Sequence, residues 1–196
     1  PESPMNQLLL IFLGGGLGSL TRFFLGKTIQ ERAWADFPVG TLGVNVAATY
    51  IIEQVLQDAD FLPSSDCAGL VGNTCLRPYN EWNVLAQVRW TTGPLAVQVD
   101  GRYLSPVTQD ALVIGGADPA DYGIDEIPSY FLFNLNGQYD LNDTWTLRAG
   151  IDNIFDRQPE NVGTFFGGTA ENSGNTYPAV YDALGRAFTV GVSARF

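Results

Sequence analysis

The sequence predicts a mainly β fold: an antiparallel up-and-down meander of about six strands, a partial transmembrane β-barrel, preceded by one apolar helix. Three observations predict it. Several runs of roughly ten residues alternate apolar and polar side chains with period two, the length and pattern of a tilted strand between lipid and water. Between these runs, long polar loops take turns with tight reverse turns. Near the N-terminus lies a segment of another kind, apolar and without alternation.

That first segment runs from Leu8 to Leu25, about 18 residues, near the lower limit for a spanning helix. Gly14 and Gly18 in it make a G-x-x-x-G spacing that allows close helix approach in lipid. A signal peptide is the competing reading. Against it, no Lys or Arg precedes Leu8, and no small-x-small cleavage site follows promptly. Arg22, Lys27 and Arg32 are the basic residues here, in the run or after it. Gly26 to Pro38 is polar. Residues 1–39 are therefore read as an apolar helix with a polar linker, and 40–196 as the barrel portion.

From Gly40 to Gln57 an apolar run returns. It reads as a strand with Leu42, Val44, Val46, Ala48, Tyr50 and Ile52 on one face. It also reads as the start of a second membrane helix, and periodicity alone does not decide. A long loop over 58–81 follows, with Cys67 and Cys75 in polar, Gly-containing surroundings. Two cysteines at that spacing can close a small disulfide ring in an oxidising compartment, and the alternative is two free thiols.

The strongest alternation comes next. Trp82, Val84, Ala86, Val88 and Trp90 share a face, as do Leu95, Val97, Val99, Gly101 and Tyr103 after a turn near Gly93-Pro94. A loop over 105–127, rich in Gly, Asp and Pro, leads to Phe131, Phe133, Leu135, Gly137 and Tyr139. A tight turn at Leu141-Asn142-Asp143 leads to Trp145, Leu147, Ala149 and Ile151. A third long loop, about 156–184, precedes the last run, with Phe188, Val190, Val192, Ala194 and Phe196 on one side. Trp82, Trp90, Tyr103, Tyr139 and Trp145 lie near the ends of the apolar faces, where interfacial girdles belong. The opposite faces carry Arg89, Asp100, Arg102 and Arg148, which a wet lumen accepts and a sandwich core does not. A soluble β-sandwich with one charged outer face is the other reading of the same strands.

Composition removes several function classes. The net charge of -11 and pI near 4.2 argue against nucleic acid as a partner. The absence of histidine excludes a Ser-His-Asp hydrolase and any His-bearing zinc site. No P-loop occurs, and no G-x-G-x-x-G follows a strand. Asp58, Asp60 and Asp66, then Asp110, Asp118, Asp121, Asp125 and Glu126, fall between strands and read as solvated loops rather than a carboxylate active site. No catalytic residue, metal ligand or cofactor is assigned.

Two resemblances can be named on these residues. Residues from about 43 to 196 resemble the C-terminal end of a TonB-dependent receptor barrel. The carrying segments are Leu147 to Pro159, similar to that family's "GxxNLFD" strand-to-loop element, the loop Asn175 to Arg186, and the Phe196 terminus. The Cys67/Cys75 loop followed by Glu81-Trp82 fits its larger members. The resemblance implies an outer-membrane address, a lipid bilayer around the sheet, and a last strand presented to the outer-membrane assembly machinery. Thr189, Gly191, Ala194 and Phe196 are the positions assigned to that terminal-strand assembly signal. Contact with the TonB complex is implied only through parts of the parent outside this sequence.

Residues from about 5 to 46 resemble the start of a CrcB/Fluc fluoride channel. The carrying segments are Gly14 to Phe23 and Phe37 to Asn45. This resemblance puts Asn45 on an ion path, whereas the barrel reading makes it a lumen-facing residue of the first strand. The third and fourth helices of that family have no counterpart here. One chain thus joins the head of a channel sequence to the tail of a receptor.

The receptor resemblance implies energy-coupled uptake of a large, scarce nutrient, a metal chelate or a glycan. Such receptors close at about 22 strands, so about six leave open edges that lipid cannot satisfy, and the piece is expected not to be competent alone. The alternatives are a fluoride-channel fragment and a soluble β-sandwich binding module. Fluoride efflux and detergent dependence discriminate them.

Overall fold

The computed structural model describes residues 40–57, 63–121, 123–163 and 175–195. The expected apolar helix over 8–25 and the terminal Phe196 lie outside these described residues. In chain order the strands are β1 (Thr41–Tyr50), β2 (Val55–Leu56), β3 (Ser65–Asp66), β4 (Leu70–Val71), β5 (Trp82–Thr92), β6 (Leu95–Leu104) and β7 (Val107–Gln109), followed after helix α1 (Asp110–Val113) by β8 (Glu126–Ile127), β9 (Tyr130–Asp140), β10 (Trp145–Asp152) and β11 (Ala187–Ala194). The six long strands form one sheet in the order β1-β5-β6-β9-β10-β11. Every neighbouring pair is antiparallel. This is an up-and-down meander whose sheet is open at β1 and β11 among the described residues. The run from Gly40 is a strand as far as Tyr50, which decides between its two readings; Ile52, expected on the same face, lies beyond the strand's end.

β-Branched and aromatic residues at alternate positions suit a pleated surface, and local chemistry sets where the chain reverses. Between β5 and β6, Gly93 takes φ 50°, a left-handed conformation that costs glycine nothing. Between β9 and β10, the Asn142 side-chain oxygen accepts from the amides of Thr144 and Trp145, both at 2.9 Å, and holds the turn closed. Both short turns lie at one end of the sheet. The connections 51–81, 105–129 and 153–186 all leave from the other end.

Register then sorts the faces. Val44 pairs with Val88, Val88 with Val99, Val99 with Leu135, Leu135 with Ile151, and Ile151 with Phe188. Directly opposed residues point to the same side, so the apolar sets of all six strands fall on one face. Leu42, Val46, Phe131, Leu147, Val190 and Val192 are among the large side chains it leaves exposed. Tyr50 stacks on Trp82 and Tyr103 on Phe131, each at 4.7 Å between ring centroids, making an aromatic row at the loop end of that face. Tyr139 and Trp145 stand at the turn end.

The buried core lies elsewhere. Val71, Leu104, Val107, Ile127, Tyr130, Val162, Tyr177 and Tyr181 form one cluster, drawn from all three long connections and the loop-side ends of β6 and β9. Leu104 and Tyr130 oppose each other on the polar side of the sheet. The loops therefore fold over the loop-side end of the polar face. Inside this layer β4 runs parallel to β7, and β7 antiparallel to β8. The expectation that all the acidic loop residues are solvated needs correcting at Asp110. That carboxylate is only 2% exposed and accepts hydrogen bonds from the backbone of Thr74 (2.7 Å) and Cys75 (2.9 Å). Two backbone donors repay its desolvation, and no composition argument locates them.

Candidate lumen wall and the loop layer above it

The polar face carries Asn45, Gln87, Arg89, Gln98, Asp100, Arg102, Asn134, Asn136, Gln138, Arg148 and Thr189. Asp100 is its hub. Its Oδ1 accepts from Gln87 Nε2 (2.9 Å) and Gln98 Nε2 (3.0 Å), and its Oδ2 from Gln98 (3.1 Å) and Asn136 Nδ2 (3.4 Å). Each donor sits on its own or a neighbouring strand, placed by register. Arg102, one step nearer the loops, donates from Nη1 to the Val180 carbonyl at 3.1 Å and ties the wall to the loop layer. Asn45 lies on this face opposite Gln87. Alternation identifies which residues share the wall. It does not reveal the amide shell around Asp100, which depends on which residues register opposes.

The strand-to-loop element after β10 shows why its residues are of these types. Asn153 is 1% exposed and takes φ 52°, a conformation asparagine tolerates better than most side chains. Its side chain bridges the bend: Nδ2 donates to the Arg157 carbonyl (2.9 Å), and Oδ1 accepts the Arg157 amide (2.8 Å). Its own amide donates to Asn134 Oδ1 (2.8 Å), and the Ile154 amide donates to the Phe133 carbonyl (2.8 Å). Phe155 packs edge-on against Phe133 at 5.7 Å. Asp156 Oδ1 accepts the Arg186 amide (2.9 Å), which closes the third connection just before β11.

Over this, Tyr181 packs edge-to-face on Tyr130 at 5.4 Å, and Asn80 Nδ2 donates to its hydroxyl oxygen at 3.3 Å. Burial pushes the Tyr181 phenol above its ordinary range. Asn80 also donates to the Ser105 carbonyl, and Ser105 exchanges hydrogen bonds with Trp82 at the root of β5. Cys67 and Cys75 are joined in a disulfide with Cα atoms 5.6 Å apart, both fully buried beside Leu70. Gly72, in the same loop, is buried, and a Cβ there would collide with the Asp110 carboxylate. Of the residues assigned to the terminal-strand signal, Thr189 and Gly191 lie on the polar face of β11 and Ala194 on the apolar face. Among the described residues no group of His, Cys, Asp and Glu could hold a metal ion.

The family model for the TonB-dependent receptor-like β-barrel matches residues 20–154. The chain belongs to that family. The match begins inside the segment read as apolar helix and linker. Three solved structures to which the chain is similar are the Escherichia coli K12 ferric-catecholate import receptor Fiu, the Pseudomonas aeruginosa ferric enterobactin receptor PfeA, and the copper transporter OprC. Fiu is 14% identical with TM-score 0.46, covering 82% of this chain and 19% of Fiu. PfeA is 20% identical with TM-score 0.44, covering 74% and 21%. OprC is 19% identical with TM-score 0.40, covering 60% and 17%. The chain thus spans about a fifth of the length of these TonB-dependent receptor neighbours.

The N-terminal part is similar to a second group of proteins. A fluoride-specific ion channel FluC of Solibacter usitatus is 36% identical over 90 residues, 42% of this chain and 74% of the channel. FluC of Rhizobium meliloti is 46% identical over 48 residues, 24% of this chain and 38% of the channel. The Solibacter match is longer than the stretch of about 5–46 expected from the motifs.

Proposed function

We propose that this chain supplies the C-terminal barrel wall of an outer-membrane receptor for energy-coupled uptake of a large nutrient, a metal chelate or a glycan, and that it does not transport alone. The observation that supports this most is the shared register of six strands, which gives one continuous apolar face and one continuous polar face. A sandwich sheet shows a second protein layer on its apolar side; here those side chains are exposed on most of β1, β10 and β11 and half-buried on much of β5, β6 and β9. Open edges at β1 and β11 require further strands in a bilayer, where unpaired backbone groups are costly. On this reading, TonB coupling belongs to other segments of the parent, and Thr189, Gly191, Ala194 and Phe196 present the last strand to the assembly machinery. No catalytic step is assigned to any residue.

The test is expression of the full chain with cell fractionation and detergent extraction. Recovery in the outer membrane with a β-sheet spectrum only in detergent is expected. A monomeric, sheet-rich protein soluble without detergent would instead mean a β-sandwich.

The likeness to FluC supports a second reading, in which residues 1–39 derive from a channel head joined to the N-terminal side of the barrel portion. Asn45 then serves the lumen wall and no ion path. Liposomes carrying the full chain should release fluoride no faster than empty ones. Chain-dependent efflux would reverse that assignment.

A further inference from the structure

Two guanidinium groups on the lumen wall stand beside carboxylates without pairing with them among the described residues: Asp100 lies one row from Arg89, and Asp140 one row from Arg148, with which it shares a second recess. Arg89 on β5 and Arg148 on β10 line one recess with Gln98, Asn136 and Gln138. Register explains the recess. Across the polar face, one row reads Gly43, Arg89, Gln98, Asn136 and Gly150. The next row toward the tight turns reads Thr41, Thr91, Ala96, Gln138, Arg148 and Gly191. The arginines thus stand three strands and one row apart, about 14 Å across the strands and about 7 Å along them at the usual spacings, roughly 16 Å between backbone positions. Between them lies Ala96, too short to fill the space. Each arginine is opposed on its outer side by a glycine, Gly43 or Gly191, and on its inner side by a glutamine, Gln98 or Gln138. Asp100, in the row on the loop side of Arg89, accepts from three amides, and Asp140, in the row on the turn side of Arg148, accepts from Gln138 Nε2 and Thr146 Oγ1. Arg102 differs, since it is engaged by the Val180 carbonyl. Among the described residues, neither Arg89 nor Arg148 makes an ion pair or a side-chain hydrogen bond.

We propose that Arg89 and Arg148, in the recess they line with Gln98, Asn136 and Gln138, form a carboxylate-binding station on the lumen wall. It rests on the barrel reading, since the recess exists only where β5, β6, β9 and β10 are paired. Guanidinium forks take carboxylates in two parallel hydrogen bonds, and the flanking amides, which donate to Asp100 and Asp140, occupy those carboxylates and leave the forks open to a ligand. Two forks at this separation suit a ligand with more than one carboxylate. The source is either a small polycarboxylate passing along the lumen or an acidic polypeptide segment lodged within it.

The experiment uses the full chain in detergent micelles, labelled at arginine nitrogen, with citrate and a hexaglutamate peptide as separate probes. Far-UV circular dichroism first establishes the sheet. The Arg89 and Arg148 Nε–H resonances should then move together along one saturation curve, while Arg102 stays still. Arg89→Gln and Arg148→Gln should each weaken binding roughly tenfold, and Arg148→Lys less, because it keeps the charge and loses the fork. Binding should fade with added salt, as expected of exposed charges. Response to citrate assigns the small-molecule source, and response to hexaglutamate alone assigns the polypeptide source. A formed sheet with neither response, or with binding unchanged in Arg89→Gln/Arg148→Gln, overturns the station alone. Absence of the sheet in detergent overturns the station together with the barrel reading.

Discussion

The six-stranded sheet and the loop layer at its end solve the problem of burial in opposite ways. The apolar side of the sheet is largely uncovered among the described residues, with Phe155 against Phe133 as a local exception: Val190 is 82% exposed and Phe188 70%. The loop layer carries the fully buried side chains, including Tyr177, Val71, Val107 and Asn153. A sheet in lipid uses the bilayer as its hydrophobic partner and needs only alternation. A layer standing in water has to make its own core from three connections and staple it with a disulfide. The comparison implies that stability contributed by protein packing concentrates in the loops, while the proposed membrane insertion would reside in the sheet.

The largest effect should come from breaking the loop core. Tyr177→Ala removes a ring buried among Val71, Leu104 and Val107 and is expected to cost about 3–5 kcal/mol, the range for emptying a large buried site. Leu147→Ala on the apolar face should cost at most about 2 kcal/mol, because it loses transfer energy and leaves no cavity walled by protein. Urea unfolding in one detergent measures both. Equal costs would mean that the sheet face packs against protein after all.

Next comes a contrast within one strand. Val190 and Thr189 are neighbours on β11 that point to opposite faces. In lipid vesicles Val190→Arg should cost about 2–4 kcal/mol and Thr189→Arg close to nothing, since only the first places a charge in hydrocarbon. Reversal of that order would put the polar face against the lipid.

Reducing the disulfide should act on the loops alone. A ring of this size stabilises by very roughly 2–3 kcal/mol. Hydrogen exchange should then quicken at Gly69, Leu70 and Tyr79, whose amides bond within that loop (2.8, 3.0 and 3.1 Å), while the β5–β6 ladder keeps its protection. Matching losses in both regions would show that loop layer and sheet unfold as one unit.

The two regions also differ in how far the sequence discloses them. Period two alone puts Val88, Val99, Leu135 and Ile151 on the apolar faces of their strands, because one pleated strand fixes its own alternation. The glycine at 93 and the Asn142-Asp143 turn locate the reversals for local reasons. Nothing local marks Asp110 as buried: its donors are the amides of Thr74 and Cys75, more than thirty residues away along the chain. The strands β2, β3, β4, β7 and β8, only two or three residues each, are too short for a period to be counted. The lumen wall lies between these cases. Its arginines and Asp100 are legible by face, whereas the amides that surround Asp100, like the recess between Arg89 and Arg148, become visible only with register.

The smallest expected effect separates the loop layer from the sheet by pH. Asp66, at the end of the short β3, accepts the Gln54 amide at 2.9 Å and the Ala68 amide at 3.0 Å. Those two donors favour the ionised form and hold its carboxyl below the ordinary value of 3.8. A depressed folded value means that the stabilising contribution is complete above the ordinary range. It is lost as the pH falls through that range toward the lower folded value. The group is fully exposed, so the loss should be small and confined to the β2–β3 hairpin. Asp66→Asn keeps an acceptor oxygen and removes the titration, so it should flatten the acid response of the Gln54 and Ala68 amide resonances between about pH 5 and 3. The β9–β10 ladder should show no change over that interval in either protein. An acid response at Gln54 that survives Asp66→Asn would assign the titration to another carboxylate and remove Asp66 from the hairpin's support.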